Sequence, residues 1–255
     1  MEIKYDDICF VIAVNDDTIL NDNFLLSKDV NNCEIFIQRE YSSAAKAYNE
    51  IIHKTHCNYI VFAHQDVYFP ENWIDKLISN ISDLKLDKVA WGVLGVVGVN
   101  DDQKLVGHLW SQGINREINE GNIIETVTSV DEVVIVLRRD SGLLFDESLR
   151  GYHLYGTDIV MQSKELLLQN FVFDMPIIHN DKRKFILDFN YYQGYRYIAK
   201  KWKKYLPIHT TVMPVNTYGI EFFYRNLRQL KNIFFPPVLV TLDQPVTKAK
   251  ELGYE

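Results

Sequence analysis

The segment Tyr59-Ile60-Val61-Phe62-Ala63-His64-Gln65-Asp66-Val67 changes from an apolar run to three polar residues. Residues 59–63 are predicted to form a buried strand, because apolar, β-branched and aromatic side chains follow one another without interruption. A carboxylate directly after a buried strand is held rigidly and can bind a divalent metal ion, so Asp66 is a candidate ligand. An aspartate in this position is also common as the cap of a turn or helix, and for Asp66 taken alone that alternative stays open.

The sequence on both sides of this segment alternates between predicted strands and helices. Upstream, strands are predicted at residues 8–14 and 34–38, and a helix is predicted at 43–56. Downstream, Pro70-Glu71 is typical of a helix start. This order predicts an α/β domain with a mostly parallel central sheet flanked by helices. Ligands of such sheets gather at the carboxyl ends of the strands.

The second half of the chain is less regular. Its polar, glycine-containing stretch at residues 100–125 is expected to hold a hairpin or a substrate-facing loop. Prolines interrupt the sequence after residue 207, so only one amphipathic helix is predicted there. The remaining predicted elements are buried strands at 89–99 and 133–137, a short strand at 171–173, and helices at 157–168, 189–202 and 220–233.

Composition and charge exclude several classes of protein. The chain of 255 residues is 47% hydrophobic and 24% charged, which is typical of folded globular domains. Its 27 basic and 34 acidic side chains leave a net charge of -7, which argues against nucleic acid as a partner. The three cysteines indicate neither a disulfide framework nor a zinc knuckle, and the acidic N-terminus is not typical of a signal peptide. We therefore expect a cytoplasmic protein that is at most peripheral to a membrane.

Polar residues that could complete a site with Asp66 occur far along the chain. Phe145-Asp146-Glu147 precedes Gly151-Tyr152-His153-Leu154-Tyr155-Gly156-Thr157-Asp158, and Pro176-Ile177-Ile178-His179 follows. These stretches supply a second carboxylate and an imidazole of the kind that binds metals. On local sequence alone, Asp158 is equally well explained as a helix cap, and His179 as a surface residue in a turn.

The ordered set of these motifs resembles the GT-A glycosyltransferases of the large inverting family 2. Within that family it is similar to the branch named for a streptomycin-biosynthesis glycosyltransferase. The matching stretches are Ile12-Ala13-Val14-Asn15, Ala47-Tyr48-Asn49, His64-Gln65-Asp66-Val67, Val130-Asp131, Arg138-Arg139, Phe145-Asp146-Glu147, the segment 151–158 and His179. The resemblance implies a Rossmann-like GT-A domain at residues 1–206 and a helical C-terminal extension at 207–255 that packs on or beside it.

The resemblance also implies an activity. A sugar would pass from a nucleoside-diphosphate sugar to a hydroxyl of a glycan or lipid-linked acceptor, with inversion at the anomeric carbon, as in glycan or polysaccharide biosynthesis. Asp158 would be the catalytic base, and Asp66 with His179 would hold Mg²⁺ or Mn²⁺. The implied donor-binding residues are Ala13, Val14, Asn15, Glu40, Asn49, His64 and Gln65, and the implied acceptor-binding residues are Asp131, Tyr152, His153 and Tyr155.

Three positions depart from the pattern of that family. His64 stands where the Asp-x-Asp metal motif has its first acid, so one metal carboxylate remains in the motif. The second predicted strand ends in Gln38-Arg39-Glu40 rather than in the two aspartates that usually contact uridine, which leaves the donor base open. Glu132 replaces the glycine that often follows Asp131.

These departures permit a second function class. A non-catalytic GT-A-like module could bind a sugar or nucleotide within a glycan-assembly complex without turning it over. The two classes differ in geometry, because an enzyme needs its metal ligands and its base around one cleft with room for a diphosphate. Convergence of Asp66, Asp158 and His179 would favour the enzyme, and their separation would favour the binding module.

A basic aromatic stretch near the C-terminus suggests a further contact. Residues 196–204 carry five lysines or arginines and two aromatic rings, and Phe222-Phe223-Tyr224 follows. Such a segment can bind diphosphate or lie on an anionic membrane surface, where lipid-linked acceptors are found. The alternative is a solvated helix face with no ligand.

Overall fold

The structure, a computed structural model, describes residues 2–181, 186–234, 242 and 244–255, and within the last turn of the 220–234 helix it leaves out the side chains at 231, 233 and 234. Two lysines and one arginine at 182–184, which precede the basic aromatic stretch 196–204, lie outside the described residues.

The elements follow the predicted alternation in the first half of the chain. The strands are β1 (Ile8–Val14), β2 (Glu34–Arg39), β3 (Tyr59–His64), β4 (Val67–Tyr68), β5 (Trp91–Gly95), β6 (Val97–Val99), β7 (Leu105–Ser111), β8 (Arg116–Glu120), β9 (Ile124–Thr126), β10 (Ser129–Val130), β11 (Val134–Arg138), β12 (Gln169–Phe173) and β13 (Ile178–His179). The α-helices are α1 (Asp17–Asp22), α2 (Ala44–Lys54), α3 (Trp73–Leu86), α4 (Tyr155–Glu165), α5 (Phe189–Lys201), α6 (Ile220–Phe234) and α7 (Pro245–Glu251).

The main sheet has the strand order β2-β1-β3-β11-β5-β12-β9. β1 pairs in parallel with β2 and β3, and β12 pairs in parallel with β5, whereas β11 is antiparallel to both β3 and β5 and β9 is antiparallel to β12. The prediction of an α/β domain with a mostly parallel sheet is confirmed, with β11 and β9 as the reversed strands. The direction of β11 follows from the path of the chain, because the chain leaves β5 at the carboxyl edge of the sheet, passes through β6 to β10 and enters β11 from that same edge.

The second sheet explains why residues 89–99 do not form the single strand that their apolar run predicts. Val96 separates β5, in the main sheet, from β6, which belongs to the sheet ordered β10-β6-β7-β13-β4. The carbonyl of Val96 accepts a hydrogen bond from the N–H of His108, 2.9 Å away, so the chain changes sheets at this residue. β7 and β8 pair antiparallel, which confirms the predicted hairpin within residues 100–125.

Helix ends follow local capping. Ser43 caps α2, and its Oγ accepts a hydrogen bond from the N–H of Lys46 at 3.4 Å. Asp188 caps α5 through the N–H of Tyr191 at 2.9 Å. α4 begins two residues before the predicted start, after Leu154 with a φ of 65°. The predicted strands and helices therefore have the predicted type, and their first and last residues differ from the predicted ones by at most three residues.

Side chains of the main sheet alternate between two apolar layers. Cys9 and Val11 face the layer that contains α2, α4 and α5, whereas Phe10 and Ile12 face the layer that contains α3. Chain beyond residue 206 joins the first layer, where Val215 is fully buried. α7 packs against the second sheet. The division at 206/207 stays a prediction. No helix among the described residues is long and apolar enough to cross a bilayer.

Gly107 in β7 lies against Val96, the residue at which the chain passes from the first sheet to the second, so a substitution there tests this packing. It has a φ of 116°, and an added Cβ would overlap the carbonyl oxygen of Val96. We expect Gly107→Ala to lower the free energy of unfolding by about 2–5 kcal/mol, because backbone strain adds to the overlap. Gly142 is the matched control, since its φ is 72° but no atom lies within 4 Å of an added Cβ, so Gly142→Ala should cost about 1 kcal/mol. Urea unfolding that gave equal losses for both variants would contradict the close packing at Val96.

Candidate active site

Three polar side chains from different parts of the chain meet at the carboxyl edge of the main sheet. His64 ends β3, Asp66 follows it, and His179 ends β13. Nε2 of His179 lies 3.3 Å from Oδ1 of Asp66, and Nδ1 of His64 lies 3.9 Å from the same oxygen. The antiparallel pairing of β13 with β4 sets His179 opposite Val67, which places it beside Asp66. The predicted convergence of Asp66 and His179 is therefore present in the fold.

The charges in this cluster stabilise one another. Burial alone would raise the pKa of Asp66, but His179 and His64 hold it well below its usual value. Burial would lower the pKa of His179, yet the carboxylates of Asp66 and Asp181 raise it to about 9. Burial lowers the pKa of His64. Without a metal ion, the cluster is thus an Asp66 carboxylate paired with a protonated His179.

The cluster has the donor atoms of a divalent-metal site. His64, Asp66 and His179 each offer one ligand atom, and these atoms all lie within 4.8 Å of one another. Within the described part of the chain, Oδ1 of Asp66 and Nε2 of His179 form the ion pair described above, but neither atom makes a well-directed hydrogen bond, so both are placed to share a ligand. Two imidazoles and one carboxylate fit Mn²⁺, which accepts nitrogen ligands more readily, better than Mg²⁺, which prefers an all-oxygen shell.

Asp181 supports this cluster from outside. One of its oxygens lies 3.6 Å from Nδ1 of His179 and accepts hydrogen bonds from Ser111 Oγ at 2.9 Å and Gly113 N at 2.8 Å. A carboxylate that holds the second ring nitrogen orients a ligating histidine. The sequence reveals neither this role of Asp181 nor that of His64 as a third metal ligand. For His64 the signal was its position two residues before Asp66.

The loop after β1 is tied to the loop after β3. Gln65 Oε1 accepts hydrogen bonds from the backbone N–H groups of Asn15 at 3.0 Å and Asp16 at 3.2 Å, and its Nε2 donates to Asn15 Oδ1 at 2.6 Å. Asn15 and Gln65, two predicted donor-binding residues that follow different strands, are therefore joined directly by hydrogen bonds.

A cleft of about 680 Å³ opens over these loops. A cavity of this size accommodates a ligand as large as a nucleoside diphosphate. An ion pair of 2.6 Å between Arg39 and Asp17 lies at its wall, and Glu40 adopts a left-handed φ of 66° there. The residues around the cleft are Ala13, Val14, Asn15, Asp17, Arg39, Glu40, Tyr41, Tyr48, His64, Gln65, Asp66 and Tyr152.

One predicted donor-binding residue lies elsewhere. Asn49 is buried, and its side-chain amide donates to the carbonyl of Phe145 at 2.8 Å and accepts from the N–H of Phe145 at 2.9 Å. This pair of bonds joins α2 to the segment before α4. The assignment of Asn49 to the donor is therefore corrected to a structural role, because its amide is already fully engaged.

The predicted acceptor-binding residues are spread around the same region. Tyr152 lines the cleft, and Tyr155 is buried with its hydroxyl 3.3 Å from Nε2 of His64. The carboxylate of Asp131 accepts from Val133 N at 3.1 Å and Thr211 Oγ1 at 2.6 Å. The ring of His153 packs on Tyr191 with centroids 5.4 Å apart. A direct acceptor contact stays a prediction for all four.

Asp158 does not join the cluster. Its side chain is 2% exposed and pairs with the ammonium of Lys201 at 2.8 Å. It also accepts hydrogen bonds from Trp202 Nε1 at 2.7 Å and Gln162 Nε2 at 2.7 Å. Lys201 in turn pairs with Asp146 at 2.6 Å, and these contacts hold the pKa of Asp146 at about 2 despite its burial. The convergence that the sequence predicts for three residues is thus realised for Asp66 and His179 only.

This network also uses part of the basic aromatic stretch at 196–204. The ammonium of Lys201 and the indole N–H of Trp202 are bonded to Asp158, so these two polar groups are not free to bind a ligand outside the protein. Farther along the chain, Phe222 is buried, whereas Phe223 and Tyr224 are exposed. Contact of this region with a membrane stays a prediction.

Comparison with known sequences defines the class. The sequence model of the glycosyltransferase-like family matches residues 9–201, about three quarters of the chain. The chain therefore belongs to the glycosyltransferase-like family. The matched range includes β1 to α5, and with them the metal-type cluster and the cleft.

Individual relatives are more distant. The chain is 26% identical over 154 residues to the protein "ATP synthase subunits region ORF 6" of Fuscovulum blasticum, a match that covers 58% of this chain and 61% of that protein. The match thus spans less than two thirds of the relative. Among solved structures, S. aureus TarS is 12% identical with a TM-score of 0.47, covering 90% of this chain and 43% of TarS. A197 from STIV is 12% identical with a TM-score of 0.44, covering 66% of this chain and 82% of that one.

The buried environment of Asp158 predicts a large effect on stability. We expect Asp158→Ala to lower the free energy of unfolding by about 3 kcal/mol, because the Trp202 and Gln162 donors lose their acceptor and Lys201 loses a counter-charge. Asp140 is the control, since its side chain is 78% exposed in an ion pair with Arg138, and Asp140→Ala should change stability by less than about 0.5 kcal/mol. Urea unfolding of the two variants measures the difference, and a loss below about 1 kcal/mol for Asp158→Ala would contradict a structural role.

Proposed function

We propose that this protein is a glycosyltransferase that uses a nucleoside-diphosphate sugar. The observation that carries the proposal is the His64, Asp66 and His179 cluster beside a cleft of about 680 Å³ at the carboxyl ends of β1, β2 and β3. Ligands of open α/β sheets bind at that edge. Membership of the glycosyltransferase-like family supports the same reaction class.

The donor would occupy the cleft with its nucleoside over β1 and β2 and its diphosphate near Asp66. The loop after β1, held by Gln65, supplies backbone groups on the nucleoside side. Arg39 and Asp17 offer hydrogen-bond donors and acceptors side by side at the wall where the base would lie. The second strand ends in Gln38-Arg39-Glu40 rather than in the two aspartates that usually contact uridine. The test below therefore uses nucleotides of five different bases.

The fit of the cluster supports a divalent cation, with Mn²⁺ preferred to Mg²⁺. His64, Asp66 and His179 would hold it, and Asp181 would orient His179. When bound, such a cation neutralises the charge of the departing diphosphate. The protein itself holds the two loops in register through Gln65 and keeps Tyr155 against His64.

The acceptor would be a hydroxyl of a glycan or a lipid-linked sugar. Tyr152 lines the cleft and offers an aromatic surface of the type that packs on sugar rings, and His153 follows it in the chain. A displacement from the face opposite the diphosphate would invert the anomeric carbon. A binding module without turnover is the alternative, and the separation of Asp158 from the cluster favours it. Donor binding combined with absent hydrolysis and transfer would establish that alternative.

Ligand-induced stabilisation tests the donor site. We expect at least one nucleoside diphosphate or sugar nucleotide from a panel based on uridine, guanosine, cytidine, adenosine and thymidine to raise the Tm by about 3 °C or more with Mn²⁺, because a ligand that binds only the folded state stabilises it. Asp66→Ala should abolish the metal-dependent part. Asp102→Asn, an exposed acid outside the cleft, should retain it. The absence of any shift in the unaltered protein would refute the donor site.

The combination of two imidazoles and one carboxylate as metal ligands leads to a separate prediction about the metal. We expect His64→Ala to weaken Mn²⁺ binding at least about tenfold, because one of three ligands is lost, and to weaken Mg²⁺ binding less, because Mg²⁺ makes little use of imidazole. Titration calorimetry with each metal alone measures both affinities. His56→Ala is the control, a histidine outside the cluster. Equal affinities of His64→Ala and the unaltered protein for Mn²⁺ would remove His64 from the ligand set.

A further inference from the structure

Glu132 lies in the turn between β10 and β11, next to the cluster, and no step described so far uses it. Its Oε1 accepts a hydrogen bond from the N–H of Gly156 in the first turn of α4, at 3.3 Å. The fit is tight, since a Cβ on Gly156 would lie 2.8 Å from the carbonyl oxygen of Val130. The residue keeps partial contact with solvent.

Backbone and side-chain bonds place this turn against the metal-type cluster. The N–H of His64 donates to the carbonyl of Val133 at 3.1 Å, which sets residue 132 at the end of β3. The hydroxyl of Tyr155 donates to the carbonyl of Glu132 at 3.2 Å and lies 3.3 Å from Nε2 of His64. One tyrosine therefore links Glu132 to the donor side of the site.

The predicted acceptor-binding residues surround the same turn. Asp131 precedes Glu132, and Tyr155 contacts it. Tyr191, whose pKa the charge of Glu132 helps to raise, packs on His153. Glu132 thus lies in a turn that is bonded to the end of β3 on the donor side and to the start of α4 beside the predicted acceptor residues, and a group that removes the acceptor's proton is needed in this region.

The charge environment of Glu132 differs from that of Asp158. Burial, together with the charge of the neighbouring Asp131, raises the pKa of Glu132 to about 8, although backbone N–H groups of Gly156 and Leu154 oppose the change. The ionisable groups that face it are Asp131, Tyr155 on α4, Tyr191 on α5 and Tyr48 on α2. No described lysine or arginine lies within ion-pair distance of it.

A carboxylate in that environment binds a proton readily and releases it near neutral pH, as a general base requires. Asp158 is the opposite case. Its two oxygens are engaged by Lys201, Trp202 and Gln162, and its side chain is 2% exposed. An acceptor hydroxyl cannot reach it without breaking that network.

We propose that Glu132 is the catalytic base of the transfer reaction, in place of Asp158. The inference rests on the proposed glycosyltransferase function. As the acceptor oxygen bonds to the anomeric carbon, the bond from that carbon to the diphosphate oxygen breaks. The acceptor's proton passes to a carboxylate oxygen of Glu132, and the nucleoside diphosphate leaves with the electron pair of the broken bond. When water is the acceptor, the same step yields hydrolysis of the donor.

The experiment compares Glu132→Gln, Glu132→Asp and Asp158→Asn in hydrolysis of the sugar nucleotide that gives the largest thermal shift. We expect Glu132→Gln to lower kcat at least about 100-fold with an unchanged donor KM and thermal shift, because the amide accepts no proton. Glu132→Asp retains a displaced base and should be intermediate. Asp158→Asn should keep kcat within about threefold of the unaltered protein, since its role is structural.

The pH dependence supplies a second readout. With the unaltered protein, kcat should rise with pH and level off above about 8, because the base acts in its deprotonated form, and Glu132→Gln should lack this rise. Unfolding gives a readout without activity. A carboxyl pKa that is higher in the folded than in the unfolded state makes stability fall as pH rises from about 4.5 to 8, and Glu132→Gln should remove that fall.

Two outcomes separate the inference from the function on which it rests. Glu132 is not the base if Glu132→Gln binds the donor and keeps an unchanged kcat, or if only a folded Asp158→Asn loses kcat. Either result would leave the glycosyltransferase proposal intact. Absence of donor binding in the unaltered protein would overturn both.

Discussion

Strand β3 is hydrogen-bonded along both edges, to β1 in parallel and to β11 antiparallel. Residues Ile60 to Ala63 have almost no solvent contact, so the strand can neither shift its register nor rotate without exposing apolar surface. The other parts of the site are positioned relative to its end. The loop after β1 is bonded to Gln65, and the turn before β11 is bonded to the N–H of His64.

The second sheet contributes the remaining ligand. β13 pairs with β4 immediately after Asp66, and the N–H of Asn180 donates to the carbonyl of Asp66 at 2.9 Å. His179 is more than a hundred residues from Asp66 in the chain, yet this short antiparallel pair fixes their side chains 3.3 Å apart. The metal-type cluster is thus a property of the junction between two sheets, and Asp181 stabilises it from the second sheet's side.

Two carboxylates near α4 show how environment separates structural from chemical groups. Asp158 lies inside α4 and is neutralised by Lys201, which also pairs with Asp146 and so ties α5 to the segment before α4. Glu132 faces the start of α4 and has a hydrogen-bond donor from the backbone but no ion pair among the described residues. Both are carboxylates in dense surroundings. Their surroundings differ, because a lysine compensates the charge of Asp158 and no described cation pairs with Glu132.

The amino-acid sequence by itself determined the order of strands and helices in the first half of the chain, because apolar runs and helix starts are local signals. It also singled out Asp66, which follows a predicted strand, and His179, through the order of motifs that resembles the family. It did not show that the apolar run 89–99 divides at Val96, because both halves are buried and only their sheets differ. Nor did it show that Asn49 is engaged by Phe145.

The partners of buried polar groups were decided by the tertiary structure alone. Asp158 lies in α4 and Glu132 packs against the start of that helix, but Lys201 and Trp202 pair only with Asp158 among these two. Whether a carboxylate is a structural anchor or a proton acceptor depends on the charges and donors within a few ångströms of it. Those neighbours come from distant parts of the chain, and only the fold brings them together.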